Sequence, residues 1–165
     1  MADKSSFSAD EWKAVLSSPM LAGMAVTLGE PSGLWGTMKE SMASARALLE
    51  TRSDPGASNL IKAILADIET SEGRTVAKEG LKSELTGKSA AEIKQQIIAK
   101  LARLGEIIDT KAGAEAAGFK AWLKQVAEKV AEAASEGGFL GFGGVKVTDA
   151  EKASIADVAK ALKVA

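Results

Sequence analysis

Apolar residues recur at helical spacing along almost the whole chain. Trp12, Val15 and Leu16 share a face behind Ser8-Ala9-Asp10-Glu11, a capping box in which the serine hydroxyl takes an orphan amide and the glutamate reaches back. Ser18-Pro19 reads as a restart, with serine as N-cap and proline at the first helical position, ahead of Met20, Leu21, Met24, Ala25 and Leu28. After the break Gly29-Glu30-Pro31-Ser32-Gly33, the run Leu34-Trp35-Gly36 leads into a helix carrying Met38, Met42, Ala45, Leu48 and Leu49. Asp54-Pro55-Gly56 is a turn signal, in which Asp54 caps and Pro55 opens a helix with the stripe Leu60, Ile61, Ile64, Leu65 and Ile68.

The stretch over 70–88 is more polar and predicts only a short helix near Val76 to Leu85. Ser89 with Glu92 makes a second capping box, followed by Ile93, Ile97, Ile98, Leu101 and Leu104. Ala112 to Gly118 is a small-residue junction, and Phe119, Trp122, Leu123, Val126 and Val130 line the next helix. Thr148 with Glu151 opens the last helix, which carries Ile155, Val158 and Leu162. Only Val145-Lys146-Val147 alternates as a strand does, and it is too short to build a sheet. The pattern therefore predicts an all-α fold: a single-domain bundle of seven to eight amphipathic helices over residues 1–165, with residues 1–7 frayed.

One segment departs from this regularity. Between an Ala-rich helix and the start at Thr148, the chain runs Glu136-Gly137-Gly138-Phe139-Leu140-Gly141-Phe142-Gly143-Gly144, which puts large apolar side chains among glycines. Residues 22–49 and 127–162 also share an order of helix, acid, G-x-x-G, acid and small-residue helix, the second copy being longer. That likeness reads either as an internal helix–loop–helix repeat or as shared Ala/Gly composition. At Ala134-Ser135-Glu136-Gly137 and Thr148-Asp149-Ala150-Glu151, with Gly29-Glu30 and Glu40 as a worn first copy, the sequence resembles the TerB-like family of tellurite-resistance-type, all-helical domains. The resemblance implies divalent cation binding by acids at the loop ends, in a stress- or membrane-associated cytoplasmic module. It covers the two end regions and leaves residues 57–110 untouched. The chain departs from that family in using glutamates where aspartates are usual and in the apolar character of the loop.

Composition narrows the chemistry. The chain has no histidine, cysteine or tyrosine, which removes the commonest general base, the thiolate nucleophile and the soft metal ligands. Lys plus Arg number 21 and Asp plus Glu 22, a net charge of -1. With basic residues such as Arg46, Arg52, Arg74 and Arg103 scattered rather than clustered, no nucleic-acid partner is expected. The start of the chain lacks the apolar core of a signal peptide, and the longest apolar window, Pro19 to Leu28, is about half of a membrane span. The expectation is a cytoplasmic protein without disulfides or a transmembrane segment.

Two sets of candidate residues remain. Glu30, Glu136, Asp149 and Glu151 offer carboxylate oxygens at loop and helix ends, suited to calcium or magnesium; equally, Asp149 and Glu151 suit the cap and dipole of a helix start. Leu34, Trp35, Phe139, Leu140 and Phe142 either plug the core or form an apolar contact surface for a protein partner, a second copy or a peripheral lipid contact. Gly87-Lys88-Ser89 imitates the end of a P-loop but has Lys82 where the first glycine belongs. The expectation is a non-enzymatic binding or interaction module of TerB-like type. The alternative is a helical protein that binds a hydrophobic ligand or lipid between helices lined by Trp12, Trp35, Trp122 and the methionines.

Overall fold

A computed structural model describes residues 2–28, 51, 56–82, 89–135 and 147–165. Among these residues there are six α-helices and no β-strand: α1 (Ala9–Thr27), α2 (Asn59–Glu69), α3 (Ser71–Lys82), α4 (Ala90–Lys111), α5 (Ala116–Ser135) and α6 (Asp149–Leu162). Short 3-10 turns at Lys4–Ser6 and Gly113–Glu115 precede α1 and α5. No described helix is long and apolar enough to cross a membrane. The all-α expectation holds, and the count of seven to eight is reduced. One helix was split in two by the sequence reading, and the helix expected over 38–49 lies outside the described residues.

The split fell at Ser18-Pro19, where α1 in fact runs through without a break. Proline lacks the N–H that would bond the Val15 carbonyl one turn back. Ser18 supplies the missing donor: its hydroxyl bonds that carbonyl at 2.7 Å, in a fully buried position. Ser18 thus repairs the helix that it was expected to end.

Three other boundaries move for local reasons. α2 starts at Asn59, past the expected Pro55, because the Ser58 hydroxyl accepts the Ile61 amide. α3 starts at Ser71, ahead of the expected Val76, because Thr70 serves two helices. Its N–H and hydroxyl both bond the Asp67 carbonyl, at 3.0 and 2.7 Å, and its oxygen accepts the Gly73 amide at 2.9 Å. Residues 2–7, expected to fray, are packed, with Ala2 and Phe7 buried and the Phe7 ring 5.8 Å from that of Trp12.

α1 is the hub. It packs on α5, α4, α3, α6 and α2, so Trp12, Val15, Leu16, Leu21, Ala22, Ala25 and Val26 are buried, while Asp10, Lys13 and Ala14 stay at least partly open to solvent. Helix directions follow from the pairings along them. Glu11 at the start of α1 meets Lys111 at the end of α4 at 2.6 Å, so these two run antiparallel. Lys94 pairs with Asp157 at 3.1 Å and Gly105 packs on Leu162, so α6 runs with α4. Glu115, just before α5, accepts the Ala2 amide, and Lys120 in its first turns reaches Asp109 near the end of α4, so α5 starts where α1 starts and, packed along α1, runs in the same direction.

Candidate functional site

The two ends of the bundle are built differently. At one end, where α1 and α5 begin, carboxylates hold the chain together. Glu115 in the turn before α5 accepts the Ala2 amide on one oxygen and the Leu60 amide on the other, both at 2.9 Å. It thereby occupies the positive N-terminus of α2 from a neighbouring element. Removal from water works against ionisation of Glu115, but the Leu60 and Ala2 amides and the Ser58 hydroxyl outweigh it and hold the carboxyl below its ordinary value.

Asp67 works in the same way. Partial burial raises its pKa, while the Trp12 indole N–H at 2.6 Å and the Lys4 ammonium at 3.0 Å lower it further than burial raises it. Beside them, the Lys111 ammonium and the Ser8 amide hold the Glu11 carboxyl down at about 2. Lys120, nearly buried, reaches Asp109 at 2.6 Å and ties α5 to α4. This clamp end uses its charged groups to fix backbone geometry, with every buried side-chain polar atom among the described residues satisfied.

At the other end α1 and α5 finish and α4 and α6 start. Two capping boxes fix those starts. Ser89 and Glu92 exchange bonds at the head of α4, and Thr148 and Glu151 do so at the head of α6, at 2.8 and 3.1 Å. The glycine-rich stretch beginning at Gly29 is joined to the end of α1, and the one beginning at Glu136 to the end of α5, so both are tethered here. We call this the cap end, after its two capping boxes.

Of the residues singled out in the sequence, Asp149 and Glu151 are described. Glu151 is 3% exposed and its Oε2 is taken by the Thr148 amide, while Asp149 faces solvent and pairs with Lys152 at 3.2 Å. Both therefore act as the first-turn acids of α6. No group of three acidic side chains suited to a metal ion occurs among the described residues. Glu30, Leu34, Trp35, Glu136, Phe139, Leu140 and Phe142, with half of the 22–49 and 127–162 likeness, lie outside them. Trp12 and Trp122 are buried in the core, and Trp122 also lines a cavity of about 370 Å³ together with Ile61, Ala121 and Gln125; its indole N–H donates to Thr51 at 2.9 Å.

Sequence reasoning missed the clamp, because Glu115 and Asp67 act on backbone and side chains 55 or more positions away. It also missed a groove of about 340 Å³ between α1 and α4, with Ala14, Leu21, Leu104 and Ile107 among its apolar lining and Asp10, Lys13, Lys100 and Arg103 at its margins. The spacing of Lys100, Arg103, Leu104 and Ile107 on one helical face was the available signal. Comparison with protein-family models, curated proteins and solved structures gives no significant match to this chain.

Proposed function

We propose that the chain is a non-enzymatic binding module in which a helical body presents two glycine-rich, acid-flanked segments from its cap end. The observation that carries this reading is the parallel course of α1 and α5, whose C-terminal ends, to which the two glycine-rich segments are joined, lie at one end of the bundle. A clamp at the far end holds the body in one shape, so the apolar residues of the two segments act on a fixed base. The TerB-like resemblance favours the same region.

Of the two versions of this reading, contact with a protein through Leu34, Trp35, Phe139, Leu140 and Phe142 is preferred to cation binding. Glu151 already spends an oxygen on its own helix cap, and Asp149 pairs with Lys152. A polarity-sensitive dye tests the reading. Enhanced dye fluorescence with the parent chain, lost in Phe139→Ser and Phe142→Ser while the melting temperature holds, supports an exposed contact surface. Lack of dye binding together with a fall of several degrees on those substitutions makes the phenylalanines core plugs and removes the proposal. A rise in melting temperature with millimolar calcium or magnesium, lost in Glu136→Gln, would restore the cation version.

A further inference from the structure

The segment that precedes α1 lies at the clamp end and contains none of the glycine-rich residues, so what it does is independent of the reading above. Residues 2–6 follow α2. Ala2 shares Glu115 with the Leu60 amide near the start of that helix, and Lys4 reaches Asp67 seven residues further, about 10 Å along it. Phe7, its ring 5.8 Å from that of Trp12, staples the segment to α1 just ahead of the N-cap Ser8 and serves as a pivot. The Asp3 carboxylate turns inward, onto the Ser5 amide and hydroxyl.

Both anchors depend on ionised carboxyls. Glu115 uses its two oxygens as acceptors, Oε1 for Ala2 and Oε2 for Leu60, each at 2.9 Å. A proton on the group turns one oxygen into a donor, so one of the two amides loses its partner. The Leu60 amide, at the positive end of α2, keeps the acceptor and Ala2 is evicted. At Asp67, Oδ2 takes both the Lys4 ammonium at 3.0 Å and the Trp12 indole at 2.6 Å. A neutral carboxyl still accepts from the indole but has no charge to hold the ammonium. The other charged groups on the packed elements are Lys62 of α2, Lys111 of α4, paired with Glu11 of α1, Lys13 of α1, paired with Glu79 of α3, Lys120 of α5, paired with Asp109, and Arg74 of α3, bonded to the Glu69 carbonyl. Glu115 and Asp67 are both held below their ordinary 4.5 and 3.8, so they lose their charge only below those values.

We infer that residues 2–6 form an acid-released strap, which leaves the body when Glu115 and Asp67 are protonated while the six described helices stay folded. The body is held by apolar burial, which does not titrate, whereas a short segment fixed at two points opens locally at little cost. Ala2 is 3% exposed and forms part of the wall of a cavity of about 550 Å³ with Ser58, Asn59 and Lys62, so release opens that cavity and the start of α2 to solvent.

The test is an NMR titration of the isotope-labelled full chain from about pH 7 to about pH 2, following the Ala2 methyl and the Ser5 amide against the core amides of Leu101 and Val126. The expected result is that the Ala2 and Ser5 signals move to the positions of an unstructured chain, with a midpoint below 4.5, at acidities where Leu101 and Val126 keep their folded positions. Glu115→Gln, which offers one acceptor and one donor, should show the released strap at neutral pH with the Leu101 and Val126 signals in place. Lys4→Ala changes an exposed side chain, so loss of the fold is not in play. It should raise the released population at a given acid pH about threefold and so move the midpoint to higher pH. A single midpoint shared by strap and core, a strap still closed at about pH 2, or a closed strap in Glu115→Gln at neutral pH would overturn the inference. So would a midpoint that Lys4→Ala leaves in place.

Discussion

The Ser18 hydroxyl shows how much one atom decides in this fold. Pro19 leaves the Val15 carbonyl without its helical donor, and burial leaves no water to replace it. Ser18→Ala should therefore destabilise the protein by about 1–3 kcal/mol, the cost of an unsatisfied buried acceptor. In a Pro19→Ala background, where the backbone N–H returns, the same change should cost less than half as much. A double-mutant cycle by denaturant unfolding measures that coupling, and additive losses would contradict the account.

Glycines separate in the same way according to what surrounds them. A methyl group on Gly73 would collide with the Asp67 carbonyl across the α2–α3 turn, whereas one on Gly118 would meet open space. Gly73→Ala should cost about 1–3 kcal/mol, and Gly118→Ala should stabilise by about 0.5–1 kcal/mol as a helix position relieved of glycine entropy. Thermal melts of the two variants should move in opposite directions.

At the scale of elements, the helix starts were the most legible part of the sequence. Ser8/Glu11, Ser89/Glu92 and Thr148/Glu151 were read as capping boxes, and all three form. A cap is a local device whose donor, acceptor and spacing lie within four residues. What stayed hidden depended on distant partners or on two rules in conflict. Ser-Pro signals a helix start by its statistics, yet here a buried hydroxyl repairs the helix instead. Thr70 was passed over because its three bonds join two helices with no loop between them.

The last helix adds a case that the sequence does not show. Lys163 ends α6 in the left-handed region (φ 55), so that the Val164 amide bonds the Ala159 carbonyl and its side chain packs on the core. Lys163→Gly should stabilise the protein by about 1 kcal/mol, because glycine adopts that backbone without steric cost. An unchanged denaturation midpoint would contradict it.

For the molecule as a whole, the clamp end makes stability depend on acid. Glu115 and Asp67 have folded-state values below their ordinary 4.5 and 3.8. A depressed carboxylate contributes stability that is present above its unfolded value and is lost as pH falls through its folded value. The melting temperature should therefore drop as pH is lowered from about 5 to about 2, and Glu115→Gln should flatten that slope while lowering stability at neutral pH. An identical slope in the variant would detach Glu115 from the effect.

The candidate site was legible only as composition. Glycines and aromatics marked the segments after α1 and α5, but the shared end at which those two helices finish emerged from the contacts of Ala2, Lys111 and Lys120, which no spacing in the chain announces. That shared end is the central claim. The chain has no cysteine, so spin labels at Glu30→Cys and Glu136→Cys report a single distance with no competing site. The account predicts a separation well below the length of α1, about 28 Å for its 19 residues. A separation at or beyond that length would put the two acid–glycine segments at opposite ends and contradict it.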